Sequence, residues 1–444
     1  MSKKWLHHAL AGLLCLPGLL VQAQGPNIIK ARAAGSAARA ASVLRLDEAV
    51  QEALQNNPSL QSALHTAQAE RHRVPQASSF PDPTFAVNWM GNIKPFSVQT
   101  NDPSSYRGVA ATQELPFPGK RRLRGEIAGK EADAAQADYE GMRRRLTAEV
   151  KAAFYDYWYY DKAMQVTLQN KDLLQKLSQI AEARYRVGKG IQQDVLKSQL
   201  QLSLLLQKLT VLQQQQATAA ARLNALLARP PEQPLAPPAD VAGPAPLNYS
   251  LAQLYELANR TDPGLRREQR MVESRQLAVN LARKDYYPDL AVGYMYEQRP
   301  LLPDMHGFTF TVNIPAFYKS KQRQELAEAG QRAAAAEESQ QNRKNELDFE
   351  VQQQYLEAKA SQQLLQLYSQ GVVPQSSLAL ESSMSAYQVG TADFLTVFTN
   401  FSTVLDYQTG YYRELADYQS SLARLESLTG LELTSGGPAP GGKE

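Results

Sequence analysis

The chain has 444 residues, a single cysteine, and 47 basic against 44 acidic side chains, a formal charge of +3. Near-neutrality at this length argues against a nucleic-acid partner. Beyond the first residues no apolar run reaches the roughly 20 residues that a spanning helix needs, so any membrane part would have to be built from strands.

Lys3 and Lys4 precede a short apolar run, Ala9 to Leu20, and Val21-Gln22-Ala23 offers the small residues of a signal cleavage site. Residues 1–23 are therefore expected to be a secretion signal, with the mature chain starting near Gln24. Cys15 lies inside the apolar run behind Leu14, where a lipidation signal needs a small residue. The thiol is expected to leave with the signal, unlipidated, and no disulfide or thiolate metal site remains. Residues 24–43 read as a flexible N-terminal segment.

The remainder reads as two copies of one unit of about 200 residues. The run Leu46 to Leu60 resembles Leu251 to Leu265, and the stretch from Phe80 resembles that from Tyr287. Glu114 to Arg124 resembles Asn313 to Arg323, and Tyr185 to Leu196 resembles Tyr387 to Phe398. Four matches in one order, at nearly constant offset, set the repeats at 44–228 and 250–432. Between them residues 229–249 hold Pro230, Pro231, Pro234, Pro237 and Pro238, which forbid helix and favour an extended connector. Residues 433–444 have nothing to bury and read as a disordered tail.

Within the first unit, Leu46, Ala49, Val50, Ala53 and Leu54 open an amphipathic helix expected to run to about Gln76. Two strands follow, about 84–90 and 106–115. In the first, Phe85, Val87 and Trp89 alternate with Thr84, Ala86 and Asn88. The second unit has strands at about 288–297 and 307–315, where Phe308, Phe310, Val312 and Ile314 alternate with Thr309, Thr311 and Asn313. Aromatic residues on one face and small or polar ones on the other are the pattern of an outer-membrane barrel, although each segment alone also suits a soluble hairpin.

From Arg121 to Val187 there is no proline. A helix of that span is about 100 Å long at about 1.5 Å per residue and needs lateral partners. The helix from Ile191 to Ala228, stacked end to end on the first one, would match it. In the second unit a long helix starts near Lys321, and Gly371-Val372-Val373-Pro374 is expected to interrupt it before helix resumes toward Tyr387. The fold class is thus mainly α, a duplicated unit of long antiparallel helices, with four β-strands per chain. Four strands cannot close a barrel, so several chains must combine.

The paired turns Tyr185-Arg-Val-Gly-Lys-Gly and Tyr387-Gln-Val-Gly-Thr-Ala resemble the helical-hairpin tips of the TolC family of outer-membrane efflux ducts. Pro81-Asp-Pro and Pro116-Phe-Pro-Gly-Lys-Arg-Arg resemble its heavy-metal branch, the CusC- and CzcC-like ducts. The resemblance covers about residues 44–432. It implies a homotrimer with a twelve-stranded barrel in the outer membrane, a helical barrel reaching into the periplasm, and no cofactor. It implies docking to a periplasmic adaptor and to an inner-membrane pump of the proton-driven RND type, with metal ions or drugs as cargo. Carried over residue by residue, Val187, Gly188, Val389 and Gly390 would be adaptor-contacting tips. Asp194 and Tyr387 would form the periplasmic entrance gate. The family's arginine position holds Ala392 and its second-repeat aspartates are Thr396 and Thr399, so Asp393 is the expected substitute. The alternative for a lone aspartate there is a charge that favours a helix N-terminus.

Lys120, Arg121, Arg122 and Arg124 open a long helix, where positive charge opposes the dipole. Contact with lipid phosphate would explain them, and so would a solvated elbow. His65 and His72 stand two helical turns apart, about 10 Å along the axis, too far to share one ion. The rival from another class is a soluble periplasmic adaptor or scaffold, which would carry one hairpin between Gly-rich β halves. An enzyme would need a nucleophile-base pair or a phosphate loop, and no such motif is visible.

Overall fold

The computed structural model describes residues 43–91, 97–98, 102–241, 243–244, 246–300 and 302–434. The expected signal 1–23 and nearly all of the segment 24–43 lie outside them. The described residues from Leu44 onward form one compact unit.

The first repeat contains α1 (Leu46–Asn56), α2 (Pro58–Ser78), β1 (Thr84–Met90), β2 (Tyr106–Leu115), α3 (Lys120–Arg186) and α4 (Gln192–Leu226). The second contains α5 (Leu251–Thr261), α6 (Pro263–Lys284), β3 (Asp289–Gln298), β4 (Met305–Asn313), α7 (Gln322–Leu367), a π turn (Tyr368–Val372), α8 (Val373–Val389) and α9 (Phe394–Thr429).

Two expectations about the helices change. The single helix expected from Leu46 to Gln76 is broken at Asn57. Pro58 disfavours helix in the residue before it, and the Asn57 side chain instead accepts from the amides of Ser59 (3.0 Å) and Leu60 (3.3 Å). The second repeat repeats the device: Asp262 precedes Pro263 and caps Leu265 N at 2.7 Å. Conversely, Pro374 does not break its helix. The π turn carries α7 into α8 with helical dihedrals at both joins, and a wider turn accommodates the amide that proline lacks.

The long α3, 67 residues, is the spine. On one flank α2 packs along its first half and α4 along its second. They meet end to end, as their lengths predict: Asn57 Nδ2 donates to Leu226 O at 3.0 Å, and Arg229 pairs with Glu52 at 2.5 Å. On its other flank α3 packs against α6 and α9, which in turn contact α7. There the same junction recurs, with Thr261 Oγ1 donating to Thr429 O at 2.8 Å. Two apolar clusters hold the helices. One lies where the short helices meet, around Phe154, Trp158, Leu223, Leu254 and Tyr418. The other lies toward the hairpin ends, around Leu174, Leu177, Val397 and Phe401.

The proline-rich connector is stapled down rather than free. Leu44 N donates to Pro237 O (2.9 Å), Ala239 N to Leu44 O (2.8 Å), and Asn224 Nδ2 to Gln233 O (2.7 Å). The expected start of the tail at 433 also moves. Leu433 and Thr434 donate their amides to Glu426 Oε1 at 2.6 Å, and Lys151 reaches the other oxygen at 2.5 Å. The rest of the expected tail lies outside the described residues.

The four strands form one antiparallel sheet in chain order. The hairpins of the two repeats join through β2 and β3, from Arg107 opposite Gln298 to Leu115 opposite Leu290.

Candidate functional site

The sheet is two-faced. Residues directly opposite in an antiparallel pair share a face, which the register turns into a map. Phe85 opposes Ala111, which opposes Tyr294, which opposes Phe308. Val292 opposes Phe310, and Leu290 opposes Val312. These side chains form one apolar face, with Phe85 at 80% and Phe310 at 76% exposure. The other face carries Thr84, Thr112, Gly293 and Thr309 in one row and Ala86, Ala110 and Met295 in the next. An apolar aromatic face with no protein cover and a small, polar opposite face suits lipid outside and water inside. Among the described residues β1 and β4 each keep one edge without a partner strand. Among the described residues no helix is long and apolar enough to cross a membrane.

Where the sheet meets the helices, the basic cluster divides. Lys120 is only 2% exposed. Its Nζ lies 2.9 and 3.0 Å from the Asp289 carboxylate oxygens, 3.2 Å from Tyr287 O and 3.3 Å from Asp285 Oδ1. It is a cross-repeat ion pair, unavailable to lipid phosphate and not a solvated elbow. Arg121 donates from Nε to Ser78 O at 2.9 Å and lies over the Phe80 ring at 3.3 Å. Arg122 and Arg124 remain exposed. Asp285 and Asp289, essential to this arrangement, were invisible in the sequence, because nothing local ties them to a lysine in the other repeat.

At the opposite ends of the long helices the two turns lie side by side. Gly188 and Gly390 adopt φ of +70° and +89°, the left-handed region that ends a helix and favours glycine. Val187 and Val389 stand out at 68% and 77% exposure. Behind them Tyr387 is 2% exposed and donates from its hydroxyl to Asp194 Oδ2 at 3.2 Å. The structure thus brings together Tyr387 and Asp194, which come from different repeats. Asp393 is engaged locally instead: it caps α9, accepting from Thr396 N at 2.9 Å. The Thr396 side chain first, and then that amide, hold its carboxyl below the ordinary range.

Burial first, and then the neighbouring Asp194 charge, push the Tyr387 phenol from 10.0 up to about 12. The folded tip keeps a proton that the unfolded chain releases near pH 10. Its contribution to stability is therefore complete below about pH 10 and is lost as the pH rises toward 12. Thermal melts between pH 9 and 12 should show this loss, and Tyr387→Phe should flatten it. Parallel pH profiles for the two proteins would contradict the assignment.

His65 and His72 are both exposed on α2. Among the described residues no cluster of three or more His, Cys, Asp or Glu side chains could hold a metal ion.

The chain is similar to known proteins at two levels, family and fold. It matches the model of the family described as outer membrane efflux protein, over residues 49–229 and again over 254–431, which are the two repeats. No curated protein sequence matches it. Among solved structures it resembles the outer membrane protein VceC from Vibrio cholerae, with 18% identity and a TM-score of 0.74 over 86% of this chain and 96% of that one. It also resembles the outer-membrane channel OprN, with 18% identity and a TM-score of 0.75 over 88% and 90%. CusC gives 16% identity and a TM-score of 0.74 over 86% and 91%. At such identities the likenesses establish the fold. The family model covers most of the chain in two successive copies, and the chain belongs to the outer membrane efflux protein family.

Proposed function

We propose that three copies of this chain form the exit duct of a tripartite efflux system. A periplasmic adaptor docks at the hairpin tips, and an inner-membrane pump of the RND type supplies the cargo. The observation that supports it most is the sheet. It carries an exposed aromatic face and two open edges, and open edges are not tolerated in lipid. Each edge can be satisfied by the opposite edge of another copy, a head-to-tail contact that closes into a ring. Three copies give twelve strands, an even number within the range of such barrels. The helices, about 100 Å long at about 1.5 Å per residue, continue each hairpin away from the membrane. Exposed Leu196, Leu200 and Leu204 on α4, and Leu356, Leu367 and Leu378 along α7 and α8, leave apolar surface on both flanks for neighbouring copies.

Val187, Gly188, Val389 and Gly390 are assigned to the adaptor contact. The lipid-facing group at the elbow shrinks to Arg122 and Arg124. The pump selects the cargo, metal cations or drugs, and the duct conducts it. Cell fractionation tests the assembly. A heat-modifiable species of three chains in the outer-membrane fraction supports it. A monomer released by osmotic shock would falsify it and favour a soluble adaptor.

Asp194 is assigned to the entrance. Three copies about an axis make an acidic ring that favours cations. Asp194→Ala should raise single-channel conductance several-fold and weaken cation preference in planar bilayers. Unchanged values on both counts remove Asp194 from the gate.

A further inference from the structure

Arg184, in the last turn of α3, was not singled out by any sequence motif, yet it touches both hairpin turns at once. Its Nη2 donates to Lys189 O at 3.0 Å, tying it to the turn of its own repeat. The same nitrogen lies 3.3 Å from where a Cβ on Gly390 would stand, so the turn of the other repeat is packed directly against it. Its Cζ lies 4.6 Å from the centroid of the Tyr387 ring, whose edge-on neighbour is Phe394 at 5.9 Å. Nε and Nη1 are cut off from water and have no hydrogen-bond acceptor among the described residues. Buried donors are nearly always paired, so two on one guanidinium call for an explanation. The electron-rich face of Tyr387 supplies a partial one, since a cation over a ring is attracted by its quadrupole.

We propose that Arg184 is the positioning residue of the entrance, a clamp that holds the two hairpin tips together and keeps the Tyr387 hydroxyl aimed at Asp194. The proposal rests on the reading that these tips close the duct. The arrangement is balanced rather than tight. Parting the tips removes the ring contact and the Tyr387–Asp194 bond, but it returns two orphaned donors to water. A lock of this composition holds at rest and yields to a modest bias, which suits an entrance that a docked partner must open.

The test uses the full-length chain reconstituted in planar bilayers, as wild type, Arg184→Met, Tyr387→Phe and the double variant, with thermal melting recorded alongside. Each single variant should raise conductance several-fold, and the double variant should exceed neither, because Arg184 acts by aiming the hydroxyl that Tyr387→Phe removes. The clamp is overturned if Tyr387→Phe raises conductance while Arg184→Met does not; the gate reading then survives without it. It is overturned equally if the two effects multiply, or if Arg184→Met raises conductance while Tyr387→Phe does not. If neither variant changes conductance, the gate reading fails as well. Should Arg184→Met fail to insert, Arg184→Lys keeps the charge and loses the planar stack. Raised conductance then supports the clamp, and wild-type conductance overturns it.

Discussion

Phe310→Arg is expected to prevent the chain from accumulating in the outer membrane. Phe310 sits near the middle of β4, opposite Val292, on the exposed aromatic face. An arginine on the lipid face near mid-bilayer costs about 2–4 kcal/mol, so a ring of three copies would lose about 6–12 kcal/mol. The next residue provides the control. Thr311 opposes Ala291 on the other face, where an arginine would meet water inside the barrel. Thr311→Arg should therefore assemble at close to the wild-type level. The yield of heat-modifiable trimer in isolated outer membranes measures both. If Thr311→Arg fails and Phe310→Arg assembles, the assignment of the faces is reversed.

Lys120→Met should be the most damaging single change outside the sheet. It removes the cation shared by Asp285 and Asp289 and leaves Asp289 with the Phe117 amide at 2.7 Å as its nearest remaining donor. Loss of one member of a buried pair costs about 3–5 kcal/mol. The two aspartates are 35% and 37% exposed, so water screens part of that loss and the lower end, about 3 kcal/mol, is expected. The urea midpoint of the purified assembly should fall. Adding Asp289→Asn should recover part of the loss, because the uncompensated charge goes with it. An unchanged midpoint for Lys120→Met would mean that the pair contributes nothing. The contrast with Arg122 is informative: its side chain is 77% exposed beside Glu126 at 3.6 Å, and exposed pairs contribute about 0–1 kcal/mol.

Much of the fold was legible in the sequence. The duplication, the alternation of Phe308 and Phe310 with Thr309 and Thr311, and the proline-free span before Val187 are local or periodic signals. Backbone geometry converts such signals directly into strand, helix and repeat. The glycines at 188 and 390 were legible for the same reason, since a tight helix exit favours positive φ. Local reading misjudged Pro58 and Pro374 in opposite directions. A proline can start a helix when the residue before it caps, as Asn57 does, and it can be absorbed when a π turn makes room.

The sequence by itself determined that this chain is two copies of a strand-pair and long-helix unit, because period, turn residues and helix length are written along the chain. The tertiary structure alone decided which polar residues meet. Lys120 with Asp289, Tyr387 with Asp194, and Arg184 over Tyr387 each join one repeat to the other between residues far apart in the chain, 169 positions in the first case and 193 in the second. Charge and aromatic pairing act through space over a few ångströms, and spacing along the chain carries no record of them. The duct was therefore readable from the sequence, while the residues that hold its elbow and its tips together were fixed only when the two repeats packed side by side.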